Sequence, residues 1–148
     1  MPITNRVNSM VVEIKGSTIF VDGERVGALD VTYAGFVTKK NFLTTWDEDP
    51  FVLNLMRKIP DNYKFHYYWV EGIKVHPKFR GQGVGGAALR RWFATLKVPA
   101  CVGLEVASIS TVPQKSLERF YGGLKFNIFK AKEGRSITTF GLTFIKSK

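Results

Sequence analysis

The run Val75–Leu96, VHPKFRGQGVGGAALRRWFATL, constrains this chain more than any other. It sets Gly81, Gly83, Gly85 and Gly86 between an apolar strand and an amphipathic helix, with Arg80 and Lys78 just before them. Glycines this dense at a helix start permit backbone with positive φ and take away the side chains that would hold a ligand off. The first N–H groups of a helix have no partner inside it and lie at the positive end of its dipole. Strand, glycine loop and helix N-terminus together make a site for a phosphate or pyrophosphate.

The charge distribution agrees with an anionic ligand. Residues 1–74 hold nine Lys/Arg and nine Asp/Glu, so the whole net charge of +10 lies in residues 75–148. One reading is a solvated basic surface; the other is a field that draws in an anion or an acidic macromolecule. A length of 148 residues with 45% apolar and 14% aromatic residues fits one globular domain spanning 1–148. No run of about 18 apolar residues marks a transmembrane helix, and the first residues lack the apolar core of a signal peptide. A single cysteine, Cys101, suits a reducing compartment, so the expected address is cytoplasmic, with no membrane partner. Cys101 reads as a small core residue, since no base is placed beside it.

Along the chain, residues 10–34 predict strands, with Asp22-Gly23 as a hairpin signal. Residues 37–60 predict helix, either two short ones or one broken near Pro50. There Asp47, Glu48 and Asp49 would serve as an acidic first turn rather than as metal ligands. Residues 63–75 predict a long strand with Tyr67, Trp69, Glu71, Ile73 and Val75 on one face, and His66, Tyr68, Val70 and Lys74 on the other. Two readings of Glu71 stand: buried on an apolar face with a raised pKa, or partly exposed beside a base. His66 reads as structural. Beyond the glycine loop the pattern gives a helix ended by Pro99 and a buried strand at 100–107. A loop at 108–113 leads to a short helix over 115–121 stopped by Gly122-Gly123, and a closing hairpin turns about Glu133-Gly134. The order predicts a mixed, mostly antiparallel sheet flanked by helices in an α/β fold.

Three glycine-loop chemistries compete. A Walker loop needs Lys-Ser/Thr where Ala87-Ala88 stand, which removes it. Gly81, Gly83 and Gly86 match the dinucleotide spacing, with Glu105 near the ribose-binding position. Too little chain follows for the rest of a doubly wound sheet, however. The third spacing is Arg80-x-x-Gly83-x-Gly85, entered through Val-His-Pro. In that reading VHPKFRGQGVGGAAL resembles the acyl-CoA-binding motif of the GNAT superfamily of N-acyltransferases. Gln114–Phe126, QKSLERFYGGLKF, resembles a second motif of that family, with Gln114 in place of its Asn, Leu117 in place of its Ala, and Lys125 in place of its Gly. The resemblance covers residues 63–146 as an acyl-CoA-binding core, and the N-terminal strands loosely. The family's first helices precede its first hairpin, whereas here the helical segment is 37–60, so the acceptor side does not carry over.

The resemblance implies an acetyl-CoA-dependent N-acetyltransferase acting on a primary amine, with no metal. Gly81, Gln82, Gly83, Val84, Gly85 and Gly86 would hold the CoA pyrophosphate, with Arg80 adding charge and Gln114 belonging to the same cofactor site. Ile73, Lys74 and Val75 would run beside the pantetheine arm. Glu71 would take the amine proton, and Tyr121 would protonate the departing thiolate. A rival function is a basic module that binds nucleic acid or an acidic protein, with acylation lost or aimed at a substrate bound there. The acceptor amine, and monomer against homodimer, stay open at this point.

Overall fold

The second hairpin shows how closely local sequence sets this fold. Asp22 (φ 50°) and Gly23 (φ 83°) both take left-handed backbone, which is the two-residue type I′ turn that an Asp-Gly pair favours. The turn joins β2 (Thr18–Val21) to β3 (Glu24–Thr38), and Val21 pairs with Glu24. The Asp22 carboxylate also accepts from the Val11 N–H at 2.9 Å, tying the turn to the start of β1 (Val12–Lys15).

A computed structural model describes residues 10–107 and 112–146. The expected loop at 108–113 therefore lies partly outside the described residues. After β3 come α1 (Lys39–Thr45), α2 (Pro50–Leu55), β4 (Lys64–Val75), a 3₁₀ turn (Pro77–Phe79) and α3 (Val84–Phe93). The chain continues with β5 (Ala100–Glu105), α4 (Gln114–Gly123), β6 (Asn127–Glu133) and β7 (Ser136–Ile145). Strand order in the sheet is β1-β2-β3-β4-β5-β7-β6, and the β1/β2, β2/β3, β5/β7 and β6/β7 pairs are antiparallel. The expected mixed, mostly antiparallel α/β fold is what forms.

The chain divides into two compact units, one from Met1–Val31 and Val70–Leu96, the other from Thr32–Trp69 and Lys97–Lys148. The first unit is the N-terminal hairpin with α3 packed on β1. Its core comes from the strand residues Val12, Ile19, Val21, Val26 and Leu29 and from the α3 stripe Val84, Ala88, Leu89 and Trp92. One contact there is severe: a Cβ on Gly27 would lie 2.1 Å from the Lys74 carbonyl oxygen, so β3 and β4 approach through a position that admits only hydrogen.

The second unit holds an aromatic core of Phe42, Phe65, Phe129 and Phe140, with Val52, Met56, Cys101 and Leu142. β5 is buried over Ala100–Leu104, a continuous apolar run as a strand covered on both faces requires. Two helices form in the 37–60 segment rather than one. α1 is capped by Thr38, whose hydroxyl accepts from the Asn41 N–H. α2 starts with Pro50 behind an Asp49 cap that accepts from Phe51 and Val52. Asp49 thus serves a helix start as expected, but Asp47 and Glu48 do not. They sit in left-handed backbone (φ 51° and 52°) in the turn between the helices.

Three boundaries differ from the sequence expectation. β3 runs on to Thr38, because Tyr33, Phe36 and Val37 extend the strand with aromatic and β-branched residues. α3 ends at Phe93, six residues before Pro99. Gly122 and Gly123 do not lie beyond α4 but are its last two residues, with Leu124 as the C-cap.

Candidate active site

The glycine loop begins with a strand exit that is tied down twice. His76 N–H donates to the Val26 carbonyl at 2.7 Å, and Arg80 Nε donates to the Val75 carbonyl at 3.0 Å. The His76 ring Nδ1 caps the 3₁₀ turn by accepting from Lys78 N–H, and Gln82 Nε2 donates to the Lys78 carbonyl. Arg80 therefore has a structural task the sequence did not suggest: one of its five donors holds the loop to the strand, leaving the guanidinium's other nitrogens for an anion.

Gly81 (φ 77°) and Gly83 (φ 80°) both take left-handed backbone, and nothing lies within 4 Å of where their Cβ atoms would be. The glycines serve the conformation and leave open space in front. Gly83 is the N-cap of α3 and makes no side-chain cap, so the first-turn N–H groups of Val84, Gly85 and Gly86 have neither an intrahelical acceptor nor a capping side chain. Ile73, Lys74 and Val75 form the end of β4 leading into this loop.

Tyr121 occupies the last turn of α4, where the chain makes a Schellman ending. The Phe126 N–H bonds to the Tyr121 carbonyl at 3.2 Å, and the Lys125 N–H to the Gly122 carbonyl at 3.0 Å. The apolar contact that accompanies this motif is Tyr121 against Phe126, edge to face with ring centroids 5.8 Å apart. The Phe120 ring also meets Tyr121 edge to face, with centroids 5.0 Å apart. Burial raises the Tyr121 pKa above the ordinary 10.0, so the phenol keeps its proton at neutral pH. Gln114 opens the same helix, and its Nε2 donates to the Val106 carbonyl at 2.7 Å, holding the helix start to the end of β5.

Glu71 is exposed on β4, so of the two readings the apolar burial is not the one that forms. Cys101 is fully buried, and burial pushes its thiol pKa up, which makes it a core residue and a poor nucleophile. His66 stays structural, with Nδ1 bonded to the Tyr33 hydroxyl at 2.7 Å. Glu71, Ile73–Val75 and Arg80–Gly86 belong to the first unit, Gln114 and Tyr121 to the second.

Sequence reasoning missed a cavity of about 730 Å³ in the second unit, lined by Trp46, Asp47, Asp49, Tyr67, Trp69 and Phe140 among others. Its rings come from α1, β4 and β7, and their meeting depends on strand pairing that no local pattern announces. The one signal was the acidic Asp47-Glu48-Asp49 run directly after Trp46.

The fold itself has known counterparts. An acetyltransferase from Thermus thermophilus superposes with a TM-score of 0.53 at 16% identity, over 86% of this chain and 62% of the other. The fold is GNAT-like. An agmatine N-acetyltransferase, in the apo form of its S171A mutant, aligns with a TM-score of 0.47 at 11% identity, over 86% of this chain and 75% of the other. This chain thus spans less than two thirds of the Thermus protein's length. No protein-family model matches the chain, and no curated protein sequence does. Among the described residues of this GNAT-like fold, no helix is long and apolar enough to cross a membrane.

Proposed function

We propose that this chain is an N-acetyltransferase that moves an acetyl group from acetyl-CoA to a primary amine by direct attack within a ternary complex. The observation that carries the reading is the Gly81–Gly86 loop. It has two left-handed glycines facing open space, an arginine pinned beside them, and an uncapped helix start directly behind. Backbone N–H groups of Gly81, Gln82, Gly83, Val84, Gly85 and Gly86 bind the pyrophosphate, with Arg80 as counter-charge. Ile73, Lys74 and Val75 pair with the pantetheine amides as an added strand would, and Gln114 braces the cofactor side through Val106.

In the chemical step Glu71, directly or through one water, accepts a proton from the acceptor ammonium. The freed lone pair attacks the thioester carbonyl, the C–N bond forms, and a backbone N–H near Ile73–Val75 stabilises the oxyanion. The nitrogen then gives its second proton to water, the C–S bond breaks, and the Tyr121 hydroxyl gives its proton to the departing thiolate and is reprotonated from solvent. An ordinary thiol pKa near 8.5 lies well below that of a buried tyrosine, so Tyr121 is protonated when the thiolate is released.

Acetyl-CoA at 100 times its Kd is expected to raise Tm by about 5–10 °C, with NAD giving no shift. Thiol release over a panel of amines then reads turnover. Stabilisation by NAD without stabilisation by acetyl-CoA would overturn the proposal. Tyr121→Phe is expected to lower kcat about 100-fold while leaving the acetyl-CoA shift intact; unchanged kcat removes the proton-donor role.

A further inference from the structure

The second unit carries a group of rings that faces solvent. Tyr33 and Phe36 on β3 are 49% and 54% exposed, and beside them on β4 stand His66 and Tyr68. Ring centroids lie 4.5 Å apart for Phe36–His66, 5.9 Å for Tyr33–His66 and 5.1 Å for Tyr33–Tyr68. Strict alternation would send Tyr33 and Phe36, three residues apart, to opposite faces of the strand. Both meet the His66 ring instead, so the strand changes face between them, and Gly35 (φ 113°) is the place. A glycine kink of this kind re-aims a side chain. Here it turns a phenylalanine outward rather than into the core. The Tyr33 hydroxyl, bonded to His66 Nδ1 at 2.7 Å, ties the two strands' rings together.

The charge around these rings has one sign. Lys64 precedes His66 by two residues, so it shares that face of β4, and it is exposed. Lys97, also exposed, donates its backbone N–H to the Tyr68 hydroxyl at 3.4 Å. The chain around the rings, residues 32–46, 62–69 and 97–104, contains no Asp or Glu. Asp61, just before the second of these runs, is taken up by Lys39 at 3.6 Å. Asp30 and Glu71 stand three residues from Tyr33 and Tyr68, on the other face by alternation. A second copy of the chain would bring the same lysines against these. Charge complementarity therefore points away from self-association and toward a polyanion.

We infer that this face binds single-stranded nucleic acid, with unpaired bases stacked on Phe36 and Tyr33 and phosphates lying along Lys64 and Lys97. Every base has a π-face, so rings set in a positive surface hold a single strand without reading its sequence. His66 supports one side of the Phe36 ring, and more than half of that residue stays open to solvent. Bases in a duplex are stacked on one another and offer no face to these rings, which leaves a duplex only its phosphate contacts. The surface shares no residue with the glycine loop, Glu71 or Tyr121, so the inference stands or falls apart from acyl transfer.

The probe is a fluorescein-labelled oligothymidylate of about 12 nucleotides, titrated by anisotropy beside a duplex of equal length. The single strand is expected to bind about 10-fold tighter than the duplex, with an affinity that falls as salt rises. Phe36→Ala and Phe36→Leu are each expected to weaken it about 10-fold, because leucine keeps the bulk without a π-face. Phe36→Trp is expected to retain it. Lys64→Gln combined with Lys97→Gln is expected to lower the slope of log affinity against log salt by about 1.4. All four variants change exposed positions, and an unchanged Tm shows the fold intact. No binding of the single strand, equal binding of the duplex, full affinity in Phe36→Ala or Phe36→Leu, or an unchanged salt slope would each overturn the inference. Self-association abolished by Phe36→Ala, without oligonucleotide binding, would overturn it too and give this face to a second copy.

Discussion

Lys125 shows what a single position can reveal. The residue has φ 74° as the left-handed member of the Schellman ending that holds Tyr121. Left-handed backbone costs a residue with a Cβ roughly 1–2 kcal/mol, and glycine escapes that cost at some expense in unfolded-chain entropy. Lys125→Gly is therefore expected to stabilise the protein by about 0.5–1 kcal/mol, read by urea denaturation; a loss of stability would show the turn to be unstrained. The sequence already marked Lys125 as standing where the resembling motif has glycine, but only the backbone explains why. Gly27 is the opposite case. Nothing in GERVGALDV sets it apart from a routine strand glycine, yet a methyl group there meets the Lys74 carbonyl oxygen at 2.1 Å. Gly27→Ala is expected to cost about 3 kcal/mol or more, since backbone on both strands would have to move. A Tm within 2 °C of wild type, on the scale of roughly 2–4 °C per kcal/mol, would refute that close approach.

At the scale of elements, the sequence pattern located the described α-helices and strands but not their ends, and it gave no sign of the 3₁₀ turn at Pro77–Phe79. Gly122-Gly123 reads as a stop because glycine usually sits beyond a helix; here the pair is inside it, and Leu124 and Lys125 make the ending. Neither glycine has positive φ, and nothing lies within 4 Å of either missing Cβ. Both glycines thus weaken α4 without serving its geometry. Gly122→Ala with Gly123→Ala is expected to add about 1–2 kcal/mol of stability, checked by the denaturation midpoint; a loss would mean that the open space is needed. In β4, period-2 alternation placed Tyr67 and Trp69 correctly on one face with the core, but could not tell that Glu71, next on that face, is exposed. Exposure depends on which elements cover a strand, and that is decided by pairings distant in sequence. The backbone of the glycine loop was legible because its signal is local; the aromatic cavity was not, because its lining comes from α1, α2, β4, β6 and β7.

For the molecule as a whole, alkaline stability gathers several buried groups into one observable. Cys101, ordinarily at 9.0, and Tyr67 and Tyr121, ordinarily at 10.0, are all shifted up by burial, with the Cys101 charge as a second cause for Tyr67. A raised acid keeps its proton in the folded chain while the unfolded chain releases it, so the unfolded state binds fewer protons above the ordinary value. Stability from these groups is complete below about pH 9 and falls as pH climbs toward the folded values. Tm should hold level to about pH 8.5 and then decline, and Cys101→Ala should flatten the first part of that decline between about pH 9 and 10. An identical slope in the variant would detach the thiol from the effect. The same seal around Cys101 has an analytical consequence. The chain's only sulfhydryl is closed off in the native state, so a chromogenic disulfide reagent added to working protein has nothing of its own to titrate. Colour that develops at once belongs to free CoA, and a slow second phase would clock the opening of the fold.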